Sequence, residues 1–259
     1  MILQYFPNGL VNDIIVILIA YAYVLATILI PVTLKKKDKI SKFTARKMVH
    51  LFAGLVVFVV PFFIFKWFAV FIAGSLTLVV FFSEKGSKVK LLDDLYEAIS
   101  EEQEEKLKRQ FLQGPFNYCV SITVLVLIFV IIAPNQMYLP IAGITIMIIA
   151  DTLASILGKK YGKHDINLSW TGTTRTLEGS LVFFICSLVI CLITYSLYGM
   201  IIQIPGQIAL NFVQVIVYSL ITAAIAMIVE LLSPSTYDDL TIPIITTLLI
   251  YLLTFVLVV

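Results

Sequence analysis

The chain has 259 residues, of which 60% are hydrophobic and only 13% are charged, and its mean hydropathy is +1.03. Soluble domains carry about a quarter charged residues, so this composition excludes an ordinary soluble domain and indicates an integral membrane protein. The net charge of +2 is too small to indicate a nucleic-acid partner. Cys119, Cys186 and Cys191 lie in apolar stretches without metal-ligand spacing, so we expect them to act as small hydrophobic side chains.

Eight apolar stretches follow one another along the chain, and a helix that crosses a bilayer needs about 20 apolar residues. The stretches are Leu10–Leu34, Val49–Phe65, Trp67–Phe82, Phe111–Ala133, Tyr138–Gly158, Leu177–Gly199, Ile208–Leu232 and Leu240–Val259. The sequence therefore predicts an all-α membrane protein, a single polytopic domain over residues 1–259 with about eight transmembrane helices. The second and third stretches are short, so they are alternatively one hairpin of tilted or partly re-entrant helices.

The basic residues predict how these helices are oriented. Of the 18 lysines and arginines, all except Lys66 fall within residues 35–47, 85–109 and 159–175, the connections that follow the first, third and fifth stretches. Basic residues mark the cytoplasmic loops of membrane proteins, so we expect these connections in the cytoplasm and both termini outside. The connection Glu84–Gln110 mixes charged and spaced apolar residues, which predicts an amphipathic cytoplasmic helix. Its charges either form a solvated hairpin that holds the helices on either side or take part in substrate binding.

Asp151 is the acid most deeply placed in a predicted span. It interrupts an apolar run about 10 Å before the fifth stretch ends. An acid inside a span costs about 2.5 to 3.5 kcal/mol on insertion scales, which favours a functional role, and a salt bridge to a neighbouring helix is the alternative. Ser155 and Gly158 lie on the same helical face. Together they form a small polar stripe against which a ligand can pack.

A glycine- and lysine-rich loop follows Asp151. Two glycines allow close backbone approach and three lysines add positive charge, a combination that suits phosphate, although a simple cytoplasmic loop explains it equally well. These residues are Gly158, Lys159, Lys160, Gly162 and Lys163.

The sixth stretch begins next to a basic and an acidic side chain. Arg175 and Thr176 precede it and Glu178 lies in its first turn, where a helix N-terminus favours anions such as phosphate. Glu178 and Asp151 form a carboxylate pair that can hold Mg²⁺ on a nucleotide. The alternative is that Glu178 only complements the helix dipole.

Two further groups are predicted on the same membrane face. Arg46 and His50 share one face at the start of the second stretch, and Glu230 precedes the acidic turn that contains Asp238 and Asp239. Carboxylates and bases concentrated on one face are what a Mg-nucleotide site at a membrane surface requires.

These elements resemble the CTP-dependent polyprenol kinases, the family of dolichol kinase, phytol kinase and related enzymes, and more distantly the CDP-diacylglycerol synthases. The matching segments, within a family-like core of about residues 46–243, are Arg46-Lys47-Met48-Val49-His50, Asp151-Thr152-Leu153-Ala154-Ser155 with Gly158 and Gly162, Thr176-Leu177-Glu178-Gly179, and Glu230 with Asp238-Asp239-Leu240-Thr241-Ile242-Pro243. The sequence departs from the family pattern at three positions. Arg175 replaces a frequent lysine, Ala150 a usual glycine, and Asp239 an expected asparagine.

The resemblance implies a reaction in which the γ-phosphate of CTP passes to the terminal hydroxyl of a long isoprenoid alcohol held in the bilayer, with Mg²⁺ as cofactor. It implies Mg²⁺ ligands among Asp151, Glu178, Asp238 and Asp239. It implies a base among Asp239, Glu230 and His50. Nucleotide-binding residues are then expected at Arg46, Lys47, Ser155, Gly158, Lys159, Gly162, Lys163, Arg175 and Thr176.

Two other functions are compatible with the same residues. A phosphatidate cytidylyltransferase would leave CMP on a lipid phosphate and release pyrophosphate. A transporter would use Asp151 in an ion path, and it predicts further polar residues in the outer halves of the spans. Only Asn117, Ser121 and Thr123 in the fourth stretch fit that pattern. The oligomeric state stays open.

Overall fold

The computed structural model describes residues 9–172, 174–202, 204, 206–234 and 237–256, without the side chain of Gln103. The described residues are mainly helical and include one short hairpin. The helices are α1 Gly9–Lys36, α2 Lys42–Gly54, α3 Trp67–Phe81, α4 Lys90–Ile99, α5 Glu102–Glu105, α6 Gln113–Ile132, α7 Tyr138–Thr145, α8 Asp151–Tyr161, α9 Leu177–Thr194, α10 Phe212–Leu232 and α11 Asp238–Thr254. A 3₁₀ segment, Leu55–Phe62, continues α2, and π-helical segments, Ile146–Ala150 and Tyr195–Ile201, follow α7 and α9.

The helices agree with a membrane protein. Within the described residues, six helices are long and apolar enough to cross a bilayer: Gly9–Lys36, Lys42–Phe62, Gln113–Ile132, Tyr138–Tyr161, Leu177–Ile201 and Phe212–Leu232. Trp67–Phe81 is shorter and also apolar. The predicted eighth span corresponds to α11, and its last three residues lie outside the described part of the chain. The prediction of an all-α membrane protein is confirmed, while the count of eight spans and the orientation stay predictions.

The described residues fall into two compact units that divide within α6, between Thr123 and Val124. In the N-terminal unit, α4 packs against α1 and α2. The buried residues of this contact are Val32, Ala45, Leu95, Tyr96, Ala98, Ile99 and Leu112. The amphipathic helix is shorter than Glu84–Gln110 because α4 ends at Ile99, after which Ser100 adopts an extended backbone. An isolated β-bridge between Glu84 and Phe111 closes the base of this segment.

A buried acid shapes the turn between the second and third apolar stretches. Asp13, on α1, is fully buried, and its carboxylate accepts hydrogen bonds from the backbone N–H groups of Ile64 and Phe65, each at 2.8 Å. The Asn12 amide donates to the Phe62 carbonyl at 3.1 Å. These bonds satisfy the peptide groups left free where the chain reverses. The two stretches are therefore separate helical elements joined by a capped turn.

In the C-terminal unit, α9 packs against α8 and α10, and α11 packs against α7 and α10. Helices approach closely where side chains are small: a Cβ atom on Gly143 would lie 2.0 Å from Thr247 Oγ1. The π-helical segment Ile146–Ala150 ends directly before Asp151, and such segments are frequent at functional sites.

The connection between α8 and α9 contains the hairpin, which was not predicted. Strands β1 Asp165–Asn167 and β2 Thr174–Thr176 pair antiparallel, with Ile166 opposite Arg175. The hairpin places Arg175 immediately before the N-terminus of α9.

Candidate functional site

Two aspartates that are distant in the sequence meet in the C-terminal unit. Asp151 is the first residue of α8, and Asp239 is the second residue of α11. A carboxylate oxygen of one lies within 4.8 Å of a carboxylate oxygen of the other. Two ligands on opposite sides of a Mg²⁺ ion lie about 4 Å apart, because each bond is about 2.1 Å long. The two carboxylates are therefore close enough for one divalent cation to bind both.

Arg175 is held by the acids around it and by a helix end. Its Nε lies 2.8 Å from Glu230 Oε1, its Nη2 lies 3.9 Å from Asp238 Oδ2, and its Nη1 donates to the Glu230 carbonyl. The Arg175 and Glu230 side chains are only 12% and 11% exposed. From the same hairpin, the Trp170 indole donates to the Leu232 carbonyl at 3.3 Å. The phosphate contact expected of Arg175 stays a prediction, and the structure favours a role in positioning these acids.

The acids in this group outnumber the bases. Asp151 interacts electrostatically with both Glu230 and Asp238, and Asp239 acts on Asp238 as well. Burial, followed by the charges of Asp151 and Asp239, raises the pKa of Asp238. Glu230 Oε2 is buried, and the Ser180 hydroxyl lies close enough to interact with the Glu230 carboxyl. Glu230 and Asp238 contact Arg175, and both interact with Asp151, so these acids form a group of hard oxygen ligands that fits a divalent cation.

Glu178 contacts the loop that follows α8. Its Oε2 accepts hydrogen bonds from the backbone N–H groups of Lys163, at 3.0 Å, and His164, at 3.3 Å. Its Oε1 lies 2.7 Å from His164 Nδ1. These bonds tie the loop to the first turn of α9. The role of Glu178 as a Mg²⁺ ligand beside Asp151 stays a prediction, and His164 is a partner that sequence reasoning did not select.

The glycines of the expected phosphate loop are in contact with protein atoms. Thr176 caps α9, since its hydroxyl accepts the Gly179 N–H at 3.1 Å. A Cβ atom on Gly158 would lie 3.1 Å from Thr176 Oγ1 and 3.3 Å from Gly179 Cα. A Cβ atom on Gly162 would lie 2.5 Å from Thr176 Cγ2. The glycines thus allow α8 to pack against the start of α9, and this packing explains them without a phosphate.

The polar residues predicted to bind the nucleotide on α8 and in the loop after it are exposed to solvent at least in part. Lys159 and Lys163 are exposed and Ser155 is half-buried. Lys160 is also exposed, and its Nζ lies 5.1 Å from the centre of the Tyr161 ring. The phosphate-binding roles predicted for Lys159 and Lys163 agree with this exposure and stay predictions.

In the N-terminal unit, Arg46 pairs with two glutamates. Its Nε lies 3.1 Å from Glu101 Oε1, and its Nη1 lies 2.9 Å from Glu104 Oε2 and 3.3 Å from the Ile99 carbonyl. Glu104 is buried and also accepts the N–H groups of Glu101 and Gly114, both at 2.9 Å. The structure favours a role for Arg46 in fixing α2 to the 84–110 segment. Its predicted nucleotide contact stays a prediction.

The other two predicted residues of α2 lie nearby. The His50 ring lies 4.4 Å from the Tyr118 ring, and the Tyr118 hydroxyl donates to the His50 carbonyl at 3.0 Å. Lys47 is half-buried. Sequence reasoning missed Glu101 and Glu104 because the acidic run 101–105 gives no indication of which carboxylate turns inward. An arginine that is largely removed from water needs an acidic partner, and the acidic run 101–105 is the signal that could have identified one.

Comparison with known proteins identifies one relative. No family model matches the chain, and no solved structure matches it. The chain is 35% identical over 164 residues to dolichol kinase from Saccharomyces cerevisiae. The aligned region covers 63% of this chain and 30% of that relative, so the chain spans less than a third of its length. This similarity confirms the predicted resemblance to the polyprenol kinases.

Proposed function

We propose that this chain is a polyprenol kinase that transfers the γ-phosphate of CTP to the terminal hydroxyl of a long isoprenoid alcohol. The observation that carries the proposal is the meeting of Asp151 and Asp239, which belong to two separate family-like segments and whose carboxylates lie within 4.8 Å of each other. The similarity to dolichol kinase supports the reaction class. Phosphoryl transfer depends mainly on positioning and on charge neutralisation, and an acid cluster that binds a divalent cation suits both.

Mg²⁺ fits the carboxylate cluster, and Asp151 and Asp239 would hold it. When bound, Mg²⁺ supplies neutralisation of the charge on the nucleotide phosphates. Arg175 orients Glu230 and Asp238 through the contacts described above, so it fixes the acidic end of α10 relative to α11. Lys159 and Lys163 add positive charge from exposed positions at and after the end of α8.

The protein side of the reaction also needs a group that takes the proton of the alcohol. Of the residues expected in this role, Glu230 is paired with Arg175. Asp239 would hold Mg²⁺ beside Asp151, and a metal-bound carboxylate is a weaker base, so we assign the proton to neither acid. The isoprenoid tail stays among the apolar side chains that α9 and α10 expose, for example Leu181, Ile185 and Leu220. We place this face of the protein in the cytoplasm, where the nucleotide is found.

The proposal is tested with purified protein, Mg²⁺, CTP labelled at the γ-phosphate, and a panel of isoprenoid alcohols of different length and saturation. We expect the label in a lipid monophosphate, with CTP preferred over ATP. A reaction without alcohol is the control. Release of the label as pyrophosphate, with CMP retained on a lipid phosphate, would instead identify a cytidylyltransferase. No transfer to any alcohol would overturn the proposal.

A further inference from the structure

The charged segment between α3 and α6 exposes apolar side chains that no predicted span explains. Helix α4 has an apolar stripe, of which Leu95 and Ile99 are buried in the N-terminal unit. Leu91 lies one turn before Leu95 on the same face, yet it is 42% exposed. Val89, directly before α4, is 55% exposed. The stripe therefore extends beyond the part that the protein covers.

Lysines flank these two apolar side chains. Lys88 and Lys90 are exposed, and neither forms an ion pair with any residue that the structure describes. Their neighbours differ in this respect, since Lys36 pairs with Asp94 and Arg109 pairs with Glu84. The segment thus presents unpaired positive charge on both sides of Val89, next to exposed hydrocarbon.

The loop that carries these residues has a defined shape and lies close to the end of an apolar helix. Gly86 has a positive φ of 75°, and its N–H donates to Asp93 at 2.8 Å. Helix α3 ends at Phe81, and Phe82 is 53% exposed. Only a short stretch of chain joins Phe82 to Val89, so these two residues are at most about 25 Å apart. If α3 crosses or enters the bilayer, this distance lets the loop reach the bilayer surface.

We propose that Val89 and Leu91 insert into the boundary between headgroups and acyl chains of a bilayer leaflet, and that Lys88 and Lys90 bind anionic phospholipid headgroups there. Alternating basic and apolar side chains fit such a surface, because the lysines meet phosphate while the apolar groups enter hydrocarbon. The binding surface is independent of the kinase reaction, since it uses none of the residues proposed for transfer.

The test uses full-length protein in which the three cysteines are replaced by alanine and a single cysteine at position 89 carries an environment-sensitive fluorophore. The protein is reconstituted into vesicles of phosphatidylcholine alone or of equal parts phosphatidylcholine and phosphatidylglycerol. A spin label near the headgroup of a tracer lipid reports contact by quenching. We expect stronger quenching in the anionic vesicles, and about a fivefold loss of this preference for each lysine replaced by glutamine, which corresponds to about 1 kcal/mol per basic residue.

Lys106→Gln with Lys108→Gln is the matched control, because both lysines are exposed on the same segment. A fluorophore at Glu97, which is exposed on α4 outside the apolar stripe, controls for the labelling itself. Equal quenching at position 89 in both vesicle types would overturn the proposal. Equal losses for the Lys88/Lys90 and Lys106/Lys108 pairs would overturn it as well, since the attraction would then be diffuse.

Discussion

Arg175 and Glu230 act as a pair in this structure. Because both side chains are nearly buried, removing either partner leaves an uncompensated charge, which typically costs about 3–5 kcal/mol. We expect Arg175→Ala and Glu230→Gln each to lower thermal stability in detergent and to abolish most transfer. The double variant should lose less stability than the sum of the losses in the two single variants, because both charges are removed together.

Lys160→Ala is the charge-matched control for this cycle, since Lys160 is exposed and lies outside the acid cluster. It should keep the stability and most of the activity of the unmodified chain. If the losses of activity were strictly additive and neither single variant were less stable, the pairing would be contradicted. Arg175 would then be a direct phosphate contact.

Glu178 either fixes the loop that follows α8 or binds Mg²⁺, and kinetic measurements distinguish these two roles. If it only fixes the loop, His164→Ala and Glu178→Gln should both raise the KM for CTP several-fold and change kcat little, because the lysines of the loop become less well placed. If Glu178 binds Mg²⁺, Glu178→Gln alone should raise the Mg²⁺ concentration needed for half-maximal rate. Initial rates over a grid of CTP and Mg²⁺ concentrations distinguish these results. We expect the first pattern.

Sequence reasoning selected several acids that lie close together in the structure, but it did not predict their bonding partners. Asp151, Glu230, Asp238 and Asp239 were all selected, and in the structure Asp151 interacts with Glu230 and Asp238 while Asp239 interacts with Asp238. The bonding partner of Arg175 was not predicted. Partner choice depends on which elements pack together, and a single sequence does not show whether a basic residue faces a phosphate or a carboxylate.

The close packing between α8 and α9 leaves different amounts of space for a side chain at the glycines of this contact. An alanine Cβ at Gly162 would lie 2.5 Å from Thr176 Cγ2 at the start of α9, whereas at Gly74 the nearest atom is 3.9 Å away. We expect Gly162→Ala to destabilise the protein by about 1–3 kcal/mol, and Gly158→Ala by less, as measured by thermal unfolding in detergent. Gly74→Ala is the control and should be nearly neutral. Gly162→Ala as stable as Gly74→Ala would mean that the space beside Gly162 is open to a ligand.

The apolar stretches predicted the helix positions well, because a long apolar run favours a helix whatever the rest of the chain does. Their ends were less predictable. The turn that begins at Phe63 depends on Asp13, which comes from another helix, and the strands Asp165–Asn167 and Thr174–Thr176 are too short to give an alternating pattern. The π-helical segment before Asp151 has no sequence signal of its own, because it depends on how α7 and α8 pack against their neighbours.

The orientation of the whole chain can be tested without assuming the reaction. In a chain without its native cysteines, single cysteines at Ser87 and Lys163 should react with an impermeant thiol reagent only after the membrane is permeabilised. The positive-inside rule predicts this result, because both positions lie in lysine-rich connections. Labelling of either position from outside in intact cells would show that the eight-span path is wrong.

The central claim is that the meeting of Asp151 and Asp239 is a phosphoryl-transfer site, and Asp151→Asn tests it most directly. The change keeps the size of the side chain and removes one negative charge, so the protein should insert and remain monodisperse. Transfer of γ-phosphate from CTP to an isoprenoid alcohol should fall by orders of magnitude, and the Mg²⁺ requirement of any residual activity should rise. A well-inserted Asp151→Asn protein that transfers phosphate at a near-normal rate would contradict the account.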